Sequence, residues 1–419
     1  MQIGYAQEGV VPTRYNPVVK EAAQKQGLHR GNPLLKTTSL SLPFFDDFTG
    51  YYVFPDSNKW VDNEVYINNT MCVNPISRGV ATFDALNQYG TPYDSFYNTT
   101  TVFADSLTSK PIDLSSYGPG DSLYLSFFYQ PQGNGFFPQP QDSLMLFLHR
   151  SDNDWIEVWV TPGDTLQPFQ QVMVPITDTG VFYNGFQFRF VNMATFDYAG
   201  STWNVDYVKL GAHRNMNDTL VNDVAFNMDP TYILNDYTYM PYRQFYAGIT
   251  GELATQHSTV IRNNYSIPQT VNCIYTANEI TTSTSLSSGV PIPISIAAMD
   301  TQSISFPMYP VSFTASGADD KVIFENKYYF QHIANDTITN DTIVRDQVFD
   351  NYLAYDDGTA EKSYYLKLSA TTPGEIAIEF HLNQPDTLQG LAIYFGRQIP
   401  LASYKFFNPI VYKGLGGIT

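Results

Sequence analysis

Residues 203–210 read Trp-Asn-Val-Asp-Tyr-Val-Lys-Leu, and this stretch decides the fold class of the chain. Apolar and polar side chains alternate along it with the two-residue period of a half-buried β-strand. Similar short runs, separated by Asn, Asp, Gly and Pro, precede it at 123–129, 143–148, 155–160 and 186–191. Strands of this length and spacing predict two sheets packed face to face.

The composition extends this prediction to the whole chain of 419 residues. Aromatic residues make up 15% of the chain, and charged residues also make up only 15%. Aromatic side chains suit a pleated, half-buried surface, whereas Glu, Lys and Arg favour helices. We therefore expect an all-β protein of two to four domains, each with its own core.

Changes in local pattern divide the chain into four parts. Residues 1–39 predict a signal remnant and a tether, in which only 18–26 could form a short helix. Residues 40–212 predict a first β-sandwich, and residues 213–341 predict an immunoglobulin-like or fibronectin-like sandwich. Residues 342–419 predict the start of a third β-domain, which we expect to be truncated.

The two later parts also carry strand patterns. In the second part, strands are predicted at 258–265, 271–275 and 321–330, and 281–288 predicts a Ser/Thr-rich loop or an edge strand. In the third part, strands are predicted at 364–368, 375–382, 391–395 and 410–412. The Tyr-rich stretch 232–246 predicts an aromatic pad between domains.

Charge and cysteine content limit the classes of partner. The net charge is -18, which argues against nucleic acid and anionic membrane because binding to phosphate needs clustered Lys and Arg. Cys72 and Cys273 fall in different predicted domains, so no disulfide between them is expected, and two cysteines are too few for a Cys-based zinc site. No apolar run reaches 18 residues, so no membrane-spanning helix is expected.

The first residues, Met-Gln-Ile-Gly-Tyr-Ala-Gln, look like the end of a secretory signal peptide. Gly4 and Ala6 would be the small residues before the cleavage site, and Gln7 would begin the mature chain. This pattern predicts an exported protein.

Four segments carry a resemblance to a known group of proteins. These are Pro-Phe-Phe-Asp-Asp-Phe at 43–48, Gly-Val-Ala-Thr-Phe-Asp at 79–84, Leu-Thr-Ser-Lys-Pro-Ile-Asp-Leu at 107–114, and the strand at 203–210. Together they resemble the MAM-like jelly rolls of exported Bacteroidota proteins, a group that includes choice-of-anchor domains. The resemblance covers 40–212 and implies a jelly roll there, and 341–361 also looks like the opening of a later β-domain in such proteins.

The resemblance implies a link with the type IX secretion system. Such proteins are typically surface cargo carrying a carboxy-terminal sorting domain, or parts of the secretion machinery. No sorting domain is visible in this sequence, which keeps open a periplasmic, plug-like component of the translocon. The partners expected are therefore the secretion machinery and a cell-surface glycan or protein, with an outer-membrane surface or extracellular location and the periplasm as the alternative.

The tripeptide Asp-Ser/Thr-aliphatic resembles the O-glycosylation acceptor of Bacteroidota envelope proteins. The same pairs are common at turns, because their side chains hydrogen-bond to nearby backbone groups. The acceptor hydroxyls would be Ser106, Ser122, Ser143, Thr165, Thr219, Thr337, Thr342 and Thr387.

Motifs for catalysis are missing from the sequence. There is no nucleophile elbow, phosphate-binding loop, dinucleotide fingerprint or paired-histidine metal motif. Asp178-Thr-Gly occurs once, whereas an aspartic protease needs two such loops, so a turn is predicted there. A pair of carboxylates for glycoside hydrolysis cannot be read from spacing. We expect a non-catalytic protein that requires no cofactor.

Calcium is the metal that the sequence favours, as a structural ion. Asp46 and Asp47 lie in the first strand region and Asp206 in the last, and these regions are neighbours in a jelly roll. Carboxylates are ligands that Ca²⁺ prefers. The alternative is that the three residues cap turns or accept backbone hydrogen bonds.

Trp60, Phe136 and Phe137 are the predicted contacts for a ligand or partner. Phe136 and Phe137 lie in the Pro/Gly-rich loop 131–140, and aromatic rings can stack on sugar faces. The leading hypothesis is an exported envelope or surface protein that binds a protein or glycan in adhesion or assembly. The alternatives are the plug-like component and a carbohydrate-binding accessory module of a degradative enzyme.

Overall fold

The strand predicted at 203–210 is the central strand of the first sheet. The computed structural model describes residues 7–26, 39–50, 53–93, 100–195, 200–309, 321–331, 338, 340–367, 376–396 and 408–412. Strand β13 (Trp203–Gly211) is buried along almost its whole length. It pairs antiparallel with strands on both sides because its backbone groups have no access to water.

Two antiparallel sheets form the first domain. One sheet has the order β10-β7-β13-β4-β3, with β2 also paired to β13, and the other has the order β5-β12-β8-β9. The strands are β2 (Phe44–Asp46), β3 (Tyr66–Asn68), β4 (Val80–Phe83), β5 (Thr101–Thr108), β7 (Tyr124–Pro131), β8 (Ser143–His149), β9 (Trp155–Pro162), β10 (Gln170–Pro175) and β12 (Phe188–Thr195). A short pair of strands, β6 (Ile112–Asp113) and β11 (Asn184–Phe186), lies beside them. Two 3-10 turns span Pro119–Asp121 and Thr179–Val181.

The space between these two sheets holds the first core. Its side chains come from both sheets, since successive residues of a strand point to opposite faces. The largest fully buried members include Trp60, Phe83, Phe127, Phe188, Phe190 and Trp203. This core confirms a β-sandwich in the first domain, as the strand pattern predicted.

A second sandwich follows. One sheet has the order β14-β15-β19 and the other β17-β16-β20-β21, with β18 also paired to β16. The strands are β14 (Val224–Met228), β15 (Gln256–Asn263), β16 (Gln269–Glu279), β17 (Thr284–Ser287), β18 (Ile292–Ile296), β19 (Thr301–Pro307), β20 (Val322–Phe330) and β21 (Thr342–Phe349). Its core includes Phe226, Phe306, Tyr328 and Phe349.

The Tyr-rich stretch 232–246 contributes to this second core, and it also lies against the third part of the chain, where the Tyr239 ring stacks 5.2 Å from the Tyr352 ring. Two short helices, α2 (Tyr242–Ala247) and α3 (Ile249–Glu252), end it. Tyr237, Tyr242 and Phe245 are buried, and the Phe245 ring lies 4.5 Å from the Phe349 ring. The helices thus cover one end of the second sandwich.

The residues before the first sandwich are more ordered than a tether. Helix α1 (Pro17–Gln26) is capped by Asn16, whose Oδ1 accepts hydrogen bonds from the backbone of Val18 and Val19. Its apolar side packs on the first domain. Strand β1 (Gln7–Val11) pairs with β22 (Ser363–Lys367), about 350 residues later in the chain.

The third part differs from its prediction. Within the described residues, 376–396 and 408–412 contain no strand, although strands were predicted at 375–382, 391–395 and 410–412. Ile376, Ile378 and Phe380 are exposed there. An alternating pattern stabilises a strand only where a neighbouring strand completes the ladder, and here Asn383 and Gln384 instead hydrogen-bond with Gln244 of α2.

Polar contacts join the two sandwiches. Arg78 donates from Nε to Asp229 Oδ1 at 2.7 Å, and its backbone N–H donates to the carbonyl of Phe226 at 2.8 Å. Asn264 donates to the carbonyl of Ile76 at 3.0 Å. Because these bonds form between two folded domains, they fix how the domains meet.

Candidate functional site

The predicted calcium ligands do not form one group. Asp46 is fully buried, and Lys59 Nζ donates to its Oδ1 at 2.9 Å while Trp60 Nε1 donates to its Oδ2 at 2.6 Å. Both oxygens are therefore committed to protein donors. The prediction that Asp46 ligates calcium is corrected, because a metal ion would have to displace an ion pair inside the core.

Asp206 and Asp47 do lie in a common polar pocket at the boundary of the two sandwiches. A β-bulge follows Asp206, where Tyr207 has φ +57°, and the Asp206 side chain is fully buried. Asp206 Oδ2 accepts from the backbone of Ser77 at 3.3 Å, and no described residue hydrogen-bonds to its Oδ1. Burial, with the charges of Asp47 and Asp223, raises the pKa of Asp206 well above its usual range.

No three His, Cys, Asp or Glu side chains in the described ranges are arranged to hold a metal ion. The unpartnered Oδ1 of Asp206 is an oxygen of the kind that calcium takes. The calcium prediction therefore continues to rest on Asp47 and Asp206 alone.

The predicted contact residues have different positions. Trp60 is only 1% exposed and packs against Phe44, Phe48 and Phe188, so the prediction of a ligand contact at Trp60 is corrected. Burying the large apolar surface of a Trp ring in the core stabilises the folded protein. Phe137 is exposed and Phe136 is half-buried, so this loop keeps both rings near solvent.

An aromatic strip crosses the outer face of the β5-β12-β8-β9 sheet. Leu144, Leu146 and Leu148 of β8 belong to the core, so Phe147 and His149 point to the opposite face. Phe103, on β5, is 59% exposed, and its ring meets the Phe147 ring edge to face at 6.4 Å. We name Phe103, Phe147, Arg189, Trp155 and His149 the aromatic strip.

Arg189 and Trp155 form the polar end of the strip. The Arg189 guanidinium lies 4.1 Å from the centre of the Trp155 ring, and Nε donates to Thr108 Oγ1 at 2.8 Å. The centre of the His149 ring lies 4.8 Å from that of the Trp155 ring. The register places exposed Glu157 opposite Phe147. The alternation of β8 could have indicated an exposed face with Phe147 and His149. The sequence analysis instead predicted the contacts at Trp60 and in the loop 131–140.

A polar cleft of about 490 Å³ lies between the first domain and the third part of the chain. Its walls are formed by Thr70, Asn134, Asp357, Glu361 and Lys362. Asn134 belongs to the predicted contact loop 131–140, whereas the other wall lies in the 356–362 turn. Sequence reasoning did not identify this cleft, because its walls are more than 200 residues apart.

Asp84 and Asp105 are two buried carboxylates of the first domain whose charges interact. Burial raises the pKa of Asp84 to about 7, and burial with the charge of Asp84 raises that of Asp105. Asp105 accepts from the backbone of Ala85 and from the Tyr93 hydroxyl. Helix α1 covers this region, so the pair lies away from solvent.

The predicted turn at Asp178 is present. Its Oδ1 accepts from the backbone of Gly180 at 2.7 Å and caps the 3-10 turn.

The predicted glycosylation hydroxyls differ in exposure. Ser106 and Ser143 are half-buried, and Thr337 lies outside the described residues. The exposed ones are Ser122, Thr165, Thr219, Thr342 and Thr387.

No family model and no curated protein matches the chain. Among solved structures it is similar to a GH2 beta-galacturonidase from Eisenbergiella tayi, at 8% identity and TM-score 0.29, over 75% of this chain and 44% of that one. It is similar to Bacteroides uniformis beta-glucuronidase, at 11% identity and TM-score 0.24, over 57% of this chain and 26% of that one. It is also similar to the CBM22-1 xylan-binding domain of Paenibacillus barcinonensis Xyn10C, at 7% identity and TM-score 0.24, over 43% of this chain and 99% of that domain.

The chain thus spans less than half the length of the two glycosidases it matches. Such low TM-scores carry no argument about activity. None of the helices described here has the length and apolar character needed to cross a bilayer.

Proposed function

We propose that this chain is an exported, non-catalytic envelope protein that binds a saccharide on the aromatic strip. The observation that carries the proposal is the exposed Phe103 ring, which is 59% accessible on a sheet whose opposite face forms the core. Exposed aromatic rings grouped on one face of a sheet are typical of a surface that binds a ligand or a partner.

The arrangement of the strip suits a sugar chain. Phe103 and Phe147 offer ring surface, and the C–H face of a sugar ring packs well on an aromatic ring. Arg189 and Glu157 stand beside these rings and supply a donor and an acceptor for sugar hydroxyls. Since rigid strands hold all four residues, little side-chain order is lost on binding.

Type IX secretion is the route of export in this proposal. Its support is the resemblance of 43–48, 79–84, 107–114 and 203–210 to exported Bacteroidota jelly rolls. Co-purification from a Bacteroidota host with the translocon would favour the periplasmic role, whereas recovery from the cell surface would favour the adhesive one.

Affinity electrophoresis tests the saccharide site. The whole chain would be run through gels that contain xylan, β-glucan or polygalacturonan. At least one polymer should retard it, and Phe103→Ala and Trp155→Ala should each weaken the interaction by roughly 5- to 10-fold. Val290→Ala, at a 76% exposed position in the second domain, is the matched control and should not change mobility.

Two results would overturn this proposal. In one, none of the three polymers retards the wild-type chain. In the other, a polymer retards wild type and Phe103→Ala equally, which would place binding away from the strip.

A further inference from the structure

The polar cleft between Asn134 and the 356–362 turn is lined by side-chain oxygen atoms that can accept hydrogen bonds. Asn134 Nδ2 donates to the carbonyls of Thr70 and Cys72 at 2.7 and 3.2 Å, which leaves its Oδ1 as an acceptor. Among the described residues, the buried Oγ1 of Thr70 behind it has no hydrogen-bond partner. One wall of the cleft is therefore fixed and offers the Asn134 Oδ1 as an acceptor.

Two carboxylates on the other wall share a single hydroxyl. Thr359 Oγ1 lies 2.7 Å from Asp357 Oδ1 and 3.0 Å from Glu361 Oε1. A hydroxyl has one hydrogen and can satisfy only one of the two at a time. Asp357 Oδ1 also accepts from the backbone N–H of Thr359 at 2.9 Å, and Asp357 is exposed, so the remaining carboxylate oxygens are accessible to solvent and to a ligand. Two negative charges are thus held close together at an accessible surface.

Lys362, the one cation that the described residues contribute to the lining, does not pair with these carboxylates. Lys362 Nζ lies 5.6 Å above the Phe136 ring, and within the described part of the chain it forms no ion pair with Asp357 or Glu361. The ammonium group therefore stays on the aromatic rim. The centre of the cleft keeps an excess of acceptors in a chain whose net charge is already -18.

From this geometry we propose that the cleft binds an arginine or lysine side chain of a partner peptide. A guanidinium group is planar, has five donors, and can bond to two carboxylates at once. The volume of about 490 Å³ is ample for one long basic side chain and the backbone beside it. This site and its ligand go beyond the saccharide proposal, because neither uses a residue of the aromatic strip.

Fluorescence anisotropy with the whole chain tests the inference. The probe is a labelled Gly-Arg-Gly peptide with blocked ends, and the comparison is the same peptide with citrulline, which has the shape of arginine without its charge. Arginine should bind at least 10-fold more tightly than citrulline. Glu361→Gln and Asp357→Asn should each weaken arginine binding by about 10-fold, as expected on loss of a charge-assisted hydrogen bond.

Asp164→Asn is the matched control, since it removes an exposed loop carboxylate outside the cleft and should leave the affinity unchanged. Because the cleft carboxylates lie near the surface, urea unfolding should show that their variants fold normally. Equal binding of the arginine and citrulline peptides would overturn the inference. It would also fail if Ca²⁺, added alone, bound with the same dependence on Glu361 while the arginine peptide did not bind.

Discussion

Asp47 and Asp223, which belong to different sandwiches, share one amide. Asn340 donates from Nδ2 to Asp47 Oδ2 at 3.1 Å and to Asp223 Oδ2 at 3.0 Å, and all three residues are buried. A single neutral side chain therefore bridges two carboxylates at the boundary between domains. We expect this relationship to dominate the stability of that boundary.

Asn340→Ala should destabilise the protein. The substitution leaves two buried carboxylate oxygens without this donor, and each loss costs about 1–3 kcal/mol. The free energy of unfolding in urea should fall by roughly 2–4 kcal/mol. Asn217→Ala, at an exposed turn, is the control and should stay within about 0.5 kcal/mol of wild type. An equal effect of both variants would show that the shared amide contributes little.

Asp206→Asn should stabilise the protein as the pH rises. Because burial raises the pKa of Asp206, its contribution to stability is present at low pH and is lost as pH increases through the folded-state pKa. Asparagine keeps the shape and removes the charge. Thermal unfolding should show a variant with little advantage at pH 4 and a clear gain at pH 8, on the order of 1–3 kcal/mol. A constant difference at both pH values would contradict this account.

Calcium provides a separate test of the same pocket. If Asp206 and Asp47 hold the ion, a calcium concentration 100 times the dissociation constant should stabilise wild type by about 2.7 kcal/mol relative to excess chelator. Asp206→Asn should lose this response. Magnesium serves as the comparison ion, because it prefers a stricter octahedral geometry. Identical melting temperatures with calcium and with chelator would show that Asp47 and Asp206 do not bind calcium.

His257 should make the second sandwich sensitive to acid. Burial lowers the pKa of His257 to about 4, and its Nδ1 lies 2.6 Å from the Tyr328 hydroxyl in the second core. The unfolded chain binds this proton more readily, so stability is full above the unfolded pKa and declines between about pH 6.5 and pH 4. The loss attributable to this group should approach about 3 kcal/mol.

Urea unfolding at pH 7 and pH 4.5 measures the effect of His257. His257→Gln should be less stable than wild type at pH 7, and the gap should narrow at pH 4.5, because glutamine does not titrate. His213→Gln replaces an exposed histidine and is the control. If His257→Gln kept the full wild-type pH dependence, other groups would be responsible for it.

Exposure should decide which acceptor hydroxyls carry glycans. The Ser106 hydroxyl hydrogen-bonds with Asp62 and Glu64 at the edge of a sheet, whereas Thr165 and Thr219 are exposed. Glycopeptide mass spectrometry on protein from a Bacteroidota host should find glycan on Thr165 or Thr219 and none on Ser106. A glycan on Ser106 together with bare Thr165 and Thr219 would contradict this expectation.

Local pattern predicted the strands well where a partner strand was close. The runs at 123–129, 143–148 and 203–210 all became strands, because their apolar faces meet in one core. The run at 391–395 has a similar composition and is not a strand. Alternating apolar residues indicate a local preference for a strand. A strand also needs a neighbouring strand for its backbone hydrogen bonds, and the sequence alone does not identify that neighbour.

The functional residues were harder to predict, for a physical reason. Trp60 and Phe103 are both aromatic residues near strands, yet one is 1% and the other 59% exposed. Tertiary packing decides between these outcomes, and the Trp60 bond to Asp46 is not visible in the sequence. The cleft wall at Asp357 and Glu361 also depends on how distant parts of the chain meet.

The pair of strands β1 and β22 is the part of the molecule that should open first under tension. In the antiparallel register, Gln7 lies opposite Lys367 and Val11 opposite Ser363, so the outward ends of both strands lie at the same end of the ladder. Tension applied before Gln7 and after Lys367 would open these hydrogen bonds one at a time, starting from that end. Opening in this way requires far less force than shearing a whole ladder at once. A pulled molecule would therefore lengthen by releasing its first segment while both sandwiches kept their cores.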